Sequence, residues 1–249
     1  MRRPRIRDLR LLGVAAIAGV GSGVVVAGLG GRLVMKVVAL VAGPGAVGNV
    51  TANGNTVGDL TLSGTMVLVL FSGVFQGLIG GLLYLAVRPW LEPLGPWRGL
   101  AFGLVVLALL GHAVLEPGNG DFQRFGAVGL NVSLFAALFV VYGIVIAPLF
   151  SAIERGAERS RFAAAIAWLG VLPALLVIAL GVGATVAGLL GADDSFRPAF
   201  GLLIVGTLVA GAFGRLIGPR RLAARALVAA VVIGGALVTG TDVARILTG

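Results

Sequence analysis

Not one cysteine occurs in the 249 residues, so disulfides and thiolate metal sites are excluded and the redox compartment cannot be read. Histidine is nearly missing too: His112 stands alone, and a zinc site, which needs three or four His, Cys or carboxylate ligands, loses most of its donors with it. No metal site and no cofactor are expected. Only 12% of residues are charged, far below a soluble average, and Lys36 is the only lysine among 19 basic residues. What fills the chain instead is apolar: 58% hydrophobic residues and a mean hydropathy of +1.07. Such a composition describes one integral membrane domain covering residues 1–249. Arginine in place of lysine, beside abundant Ala, Gly and Val, matches the coding bias of a GC-rich bacterium.

Backbone in lipid must satisfy its own hydrogen bonds, and the apolar runs are much longer than barrel strands, so an all-α membrane protein is expected. Runs at 9–30, 62–87, 99–116, 127–150, 162–191, 199–217 and 222–243 predict a bundle of seven transmembrane helices. Pro173 removes a backbone donor inside the fifth and predicts tilt or a kink. "MRRPRIRDLR" before the first run resembles a secretory signal, but the run exceeds roughly 15 residues and no small-x-small cleavage site follows, so the helix is expected to be retained.

The positive-inside rule orients the bundle. With a cytoplasmic N-terminus, fourteen of the nineteen basic side chains fall inside, among them Arg10, Arg88, Arg98, Arg155 and Arg161, and five fall outside: Arg32, Lys36, Arg124, Arg197 and Arg245. The expectation is therefore N-in and C-out in the bacterial plasma (inner) membrane, with Trp90 and Trp97 as interfacial anchors inside. The net charge of +9 is then topological, and nucleic acid is not an expected partner.

From Leu9 to Arg32 a helix climbs roughly 35 Å, past a hydrocarbon core of roughly 30 Å. Gly30-Gly31 reads as a flexible joint, so the segment 31–42, "GRLVMKVVALVA", is expected to lie at the outer interface, with Arg32 and Lys36 on one side. Two readings stand for those cations: stems that snorkel to headgroups, or holders of an anionic group such as an anionic lipid, a substrate or a carboxylate of another membrane protein. His112 and Glu116 are spaced i, i+4 and could hydrogen-bond, and the loop after them carries Asp121 and Arg124. These six residues, Arg32, Lys36, His112, Glu116, Asp121 and Arg124, form the candidate outer-face binding cluster. Further outer acids are Asp59, Asp193, Asp194 and Asp242.

Asn53-Gly54 signals a small extracytoplasmic β-hairpin within 46–61, pairing Val50 with Val57 and Thr51 with Thr56. Small residues recur every four positions at Gly19, Gly23, Ala27 and Gly31, at Gly73, Gly77 and Gly81, and at Gly206, Ala210, Gly214 and Gly218, and are expected to carry helix packing within the chain or in a homo-oligomer. At mid-depth the most polar residue is Gln76; it and Asn131 are expected to hydrogen-bond neighbouring helices. No ionisable group sits there, which weighs against ion-coupled transport. "GVGSGVVVAG" at 19–28 echoes "GVGATVAG" at 181–188, pointing to parallel repeats in a 3+1+3 arrangement.

"GGRLVMKVVA", "TANGNTVGDLTLSGT" and "GGLLYLAVRPWL" together give the first half of the chain its resemblance to a group of multi-pass bacterial membrane proteins of no known function. The resemblance implies a helical membrane protein and assigns no residue a role. Three functions follow as expectations: foremost a non-enzymatic structural, assembly or anionic-group-binding protein of the outer face, with no catalytic residue; next a passive or weakly coupled carrier of a small solute, using Gln76; last a lipid-acting enzyme using His112 and Glu116.

Overall fold

In the computed structural model the described residues are 6–50, 57, 61–189, 205 and 222–248. Five segments among them are long and apolar enough to cross a membrane: Asp8–Ala42, Leu62–Ala113, Val128–Arg159, Arg161–Gly183 and Val228–Thr248. The seven separate spans read from hydropathy are therefore not all present as such. The expected sixth, 199–217, apart from residue 205, and the stripe at Gly206, Gly214 and Gly218 lie outside the described residues, and the expected second and third belong to one helical stretch.

That stretch nevertheless folds back on itself. Leu62–Leu68 (α3), a π-helical run Val69–Phe75 and Gln76–Leu91 (α4) descend to a 3-10 turn, Glu92–Trp97, from which Arg98–Leu110 (α5) rises. Gly95 makes the corner at φ 55°, ψ −121°, a region a side chain rarely tolerates. The reversal brings the rings of Tyr84 and Phe102 to 4.9 Å, and Phe150 completes a fully buried aromatic core at 5.2 Å from Tyr84.

The first helix corrects the sequence reading most directly. Ile6–Gly23 (α1) passes through a π-helical run, Val24–Gly30, into Gly31–Ala42 (α2), and Gly30 and Gly31 both keep right-handed helical dihedrals. No joint forms, and 31–42 continues the helix. Gly28 is packed on Val69, Gly30 on Leu138 and Gly31 on Leu68, and helix neighbours on both sides remove the freedom a Gly-Gly pair has in water. The 35 residues from Asp8 to Ala42 reach roughly 52 Å, well beyond the hydrocarbon core.

α1 and α4 run antiparallel in a fixed register: a Cβ on Gly19 would fall 2.2 Å from the Gly77 carbonyl oxygen, on Gly23 2.0 Å from that of Gly73, and on Gly81 2.1 Å from that of Ala15. Backbones can meet this closely only where side chains are absent. Above this crossing the two π-helical runs lie against each other.

Val128–Arg159 (α7) crosses α5 antiparallel through Gly99, Gly103 and Gly143, and extends nine residues past the expected end at 150. The fifth expected span is two helices, Arg161–Leu169 (α8) and Val171–Leu189 (α9), interrupted at Gly170. Pro173 explains the break, since it offers no N–H to the carbonyl of Leu169. Both flank α1 through Gly13, Ala167 and Ala174. Leu222–Thr248 (α10) lies parallel to α5, Gly235 against Ala108 and Thr239 against Gly111. Exposed Leu33, Leu62, Phe71, Leu104, Leu169 and Leu172 give the bundle its lipid-facing surface.

The expected hairpin is not found among the described residues, which leave out 51–56 and 58–60. Among the described residues there is no strand, only an isolated bridge at Val50. Val57 donates to the Asn49 carbonyl (2.8 Å) and accepts from the Gly48 N–H (3.0 Å), so it does not sit opposite Val50 as expected. Gly48 at φ 87° and the Asn49 amide bonded to Gly45 and Ala46 carbonyls curl this segment into turns. The Asn53-Gly54 tip lies outside the described residues.

Candidate functional site: a mid-depth cavity and two polar joints

Twelve residues of helix, roughly 18 Å, separate Gln76 from Arg88 at one end of the bundle, and fourteen separate it from Leu62 at the other. At this mid-depth the facing π-helical runs border a cavity of ≈ 100 Å³. Gly23, Ala27 and Gly31 form one wall, Ser72, Gln76 and Gly80 the second, Val106 and Leu110 of α5 the third, and Phe135, Leu138, Phe139 and Tyr142 of α7 the fourth. π-helical turns are uncommon and concentrate at functional sites. The Tyr142 hydroxyl donates to the Gly77 carbonyl at 3.1 Å, closing one polar group onto the backbone. Gln76, expected to bond a neighbouring helix, makes no hydrogen bond with the described residues; its amide faces the cavity, with Ser72 one turn away. No Asp, Glu, Lys, Arg or His lines the space.

Within the expected outer cluster, His112 is joined to α10. α5 ends at Leu110 and tightens into a 3-10 turn, Gly111–Ala113, so Glu116 has left the helix and the i, i+4 face it would share with His112 does not exist. His112 is buried and its Nδ1 bonds Oδ2 of Asp242 on α10, 130 residues away. Its backbone N–H donates to Thr239 Oγ1 at 3.1 Å, and that hydroxyl donates to the Ala108 carbonyl at 3.1 Å. Arg245 stands 3.9 Å from the other Asp242 oxygen. This joint ties α10 to the end of α5. By sequence Asp242 stands only among the outer acids; the three-residue step from Thr239 to Asp242, placing both on one face of α10, is the signal that links them.

Asp121 opens a four-residue helix, Asp121–Arg124 (α6), where its N–H donates to Asn119 Oδ1 at 3.1 Å. Arg124 lies 5.3 Å over the Phe125 ring. Asn131 does not bridge to another long helix: it is buried and its amide donates to the Phe122 and Phe125 carbonyls of the preceding loop. Lys36 is exposed, while Arg32 is half-buried with its Nε enclosed and without an acceptor. No group of three or more His, Cys, Asp or Glu occurs among the described residues that could hold a metal ion.

A second joint, missed in the sequence, closes the opposite end. Arg88 meets Glu154 two-fold, Nη1 to Oε1 at 3.1 Å and Nη2 to Oε2 at 2.9 Å, with Glu92 Oε1 3.1 Å from Nε and the Phe150 ring 4.9 Å beneath the guanidinium. Arg10 donates to the Ala157 carbonyl at 3.4 Å and approaches Glu158 at 3.9 Å.

The chain matches no protein-family model, no curated protein and no solved structure.

Proposed function

We propose that this membrane protein binds a small neutral solute in the cavity at Gln76 and lets it pass by a passive route. The observation that carries the reading is an unbonded amide facing a mid-depth space that no charged residue lines. Such a wall gives nothing to couple an ion or proton gradient to transport. The space of ≈ 100 Å³ is smaller than the roughly 150 Å³ cavity that holds benzene, so the solute has few heavy atoms. Seven crossings, N-in and C-out, fit this reading: α9 and α10 both run in the direction of α1, away from the arginine-rich end.

Stopped-flow swelling of proteoliposomes in acetamide tests it. Uptake should exceed that of protein-free vesicles, Gln76→Leu should slow it about fivefold, the worth of one hydrogen bond near 1 kcal/mol, and Ala27→Leu, which fills the cavity, should return it to baseline. Uptake equal to protein-free vesicles, or unchanged in Ala27→Leu, refutes the cavity route.

A second reading keeps the outer-face anion site, in a smaller form. The enclosed, acceptor-less Nε of Arg32 favours an anionic group there. Inorganic phosphate should raise the thermal stability of the wild-type protein by about 1.4 kcal/mol at ten times its dissociation constant and leave Arg32→Gln unmoved. An equal response of both proteins would end this reading. The enzymatic reading keeps little support, because the His112 ring is turned to Asp242 and neither His112 nor Glu116 lines the cavity.

A further inference from the structure

The corner between α4 and α5 reads "EPLGPWRGL", residues 92–100. Pro93, Gly95 and Pro96 force the reversal, and the two residues that follow are Trp97, 67% exposed, and Arg98. Arg98 differs from its neighbour Arg88. Arg88 is matched by Glu154 and Glu92, whereas the Arg98 guanidinium has one hydrogen bond, from Nη2 to Ser151 Oγ at 3.1 Å, and no carboxylate partner among the described residues. Ser151 is neutral and passes its own proton donor to the Ala147 carbonyl, so the positive charge of Arg98 is uncompensated at the edge of the bundle.

Beside it runs a groove of ≈ 680 Å³, within the roughly 300–1,000 Å³ range of ligand sites. Its head is Gly95, Pro96, Trp97 and Arg98, and its trough is Leu100, Ile144, Ala147 and Pro148. Exposed Leu104 and Val141 continue the apolar surface by another turn. The groove's α7 residues run from Ile144 to Pro148, and with Ser151 at the Arg98 end and exposed Val141 beyond the other the surface covers ten residues of α7, roughly 15 Å, about half the thickness of the hydrocarbon core. A cation at one end, an amphipathic indole beside it and an apolar channel of one-leaflet depth reproduce the chemistry of a single molecule: a phosphate head on an acyl chain.

We propose that this groove is a binding site for an anionic glycerophospholipid of the leaflet on the Arg88 side, its phosphate on the free N–H groups of Arg98 and one acyl chain along Leu100 and Ile144. The uncompensated charge selects a lipid of net negative charge over a zwitterionic one, since only the former leaves the pair neutral. The site is separate from the cavity at Gln76, and the two readings stand or fall independently.

Native mass spectrometry of the full chain, titrated with phosphatidylglycerol or phosphatidylcholine in detergent, tests the proposal. Wild type should retain phosphatidylglycerol preferentially, Arg98→Gln should bind it about tenfold more weakly, as loss of a charge-assisted contact implies, and Arg161→Gln, an exposed cation outside the groove, should bind as wild type does. Ile144→Trp, which fills the trough at a half-exposed position and leaves Arg98 in place, should weaken it likewise, and it serves alone should Arg98→Gln not fold. Equal retention of the two lipids by wild type, or wild-type affinity in both groove variants, overturns the site.

Discussion

Gly81→Val is expected to prevent the bundle from assembling, whereas Gly234→Ala, on the same class of apolar helix, is expected to leave it intact. The difference lies in what the new atoms meet. A Cβ at Gly81 would stand 2.1 Å from the Ala15 carbonyl oxygen and 3.0 Å from the Gly19 Cα, both backbone, and backbone in a packed helix pair cannot rotate aside as a side chain can. At Gly234 nothing among the described residues lies within 4 Å. Overpacking of this kind costs about 3 kcal/mol before the two methyls of valine are counted, and separating α1 from α4 to relieve it would uncover the whole Gly19–Gly77 and Gly23–Gly73 crossing. Size-exclusion profiles and thermal unfolding in detergent check it: Gly81→Val should give aggregated or low-melting protein and Gly234→Ala a wild-type peak. A monodisperse Gly81→Val protein melting within a few degrees of wild type would mean that the α1–α4 register is wrong.

That register marks how far the residues could be read in advance. Glycines every four positions on two apolar runs are legible because lipid offers no hydrophobic drive between helices, so close backbone approach must carry the packing. Which stripe meets which is not legible, as any pair of such stripes satisfies the same rule. The π-helical runs were invisible for a related reason: "VVVAGLG" and "VLFSGVF" are ordinary apolar sequence, and only their mutual packing shows why both helices widen at one level. Gly30-Gly31 was read by its freedom in water, and its neighbours Leu138 and Leu68 removed that freedom. The polar residues were harder. His112 and Glu116 share a helix face only if α5 continues to Glu116; the helix stops six residues earlier, and Asp242 of α10 bonds the ring. Whether Gln76 bonds a neighbour or lines a space depends on four helices at once. Nothing in the local sequence marks a partner for Glu154, and its part in holding α7 to α4 emerges only when the helices are laid together.

This last pair carries an ordered set of expectations. Arg88→Leu should destabilise the protein more than Glu154→Leu, and the double variant should be more stable than Arg88→Leu alone. Arg88 and Glu154 are largely withdrawn from water, their side chains 20% and 14% exposed, so each has given up much of its hydration. Removing Arg88 leaves the Glu154 carboxylate enclosed with no other cation in ion-pair range among the described residues. Removing Glu154 leaves Arg88 with Glu92 at 3.1 Å and with the Phe150 ring, so its charge keeps partners. A fully buried pair broken on one side costs roughly 3–5 kcal/mol; with the remaining exposure, about 3 kcal/mol is expected for Arg88→Leu and about half of that for Glu154→Leu. Replacing both removes the stranded charge and puts apolar atoms beside Phe150, which should recover most of the loss. Because water reaches the pair only partly, raising the salt concentration should shift these differences little. Thermal unfolding of the four proteins at low and high salt decides it, and equal losses from the two single variants would show that the contact to Glu92 contributes nothing when Glu154 is gone.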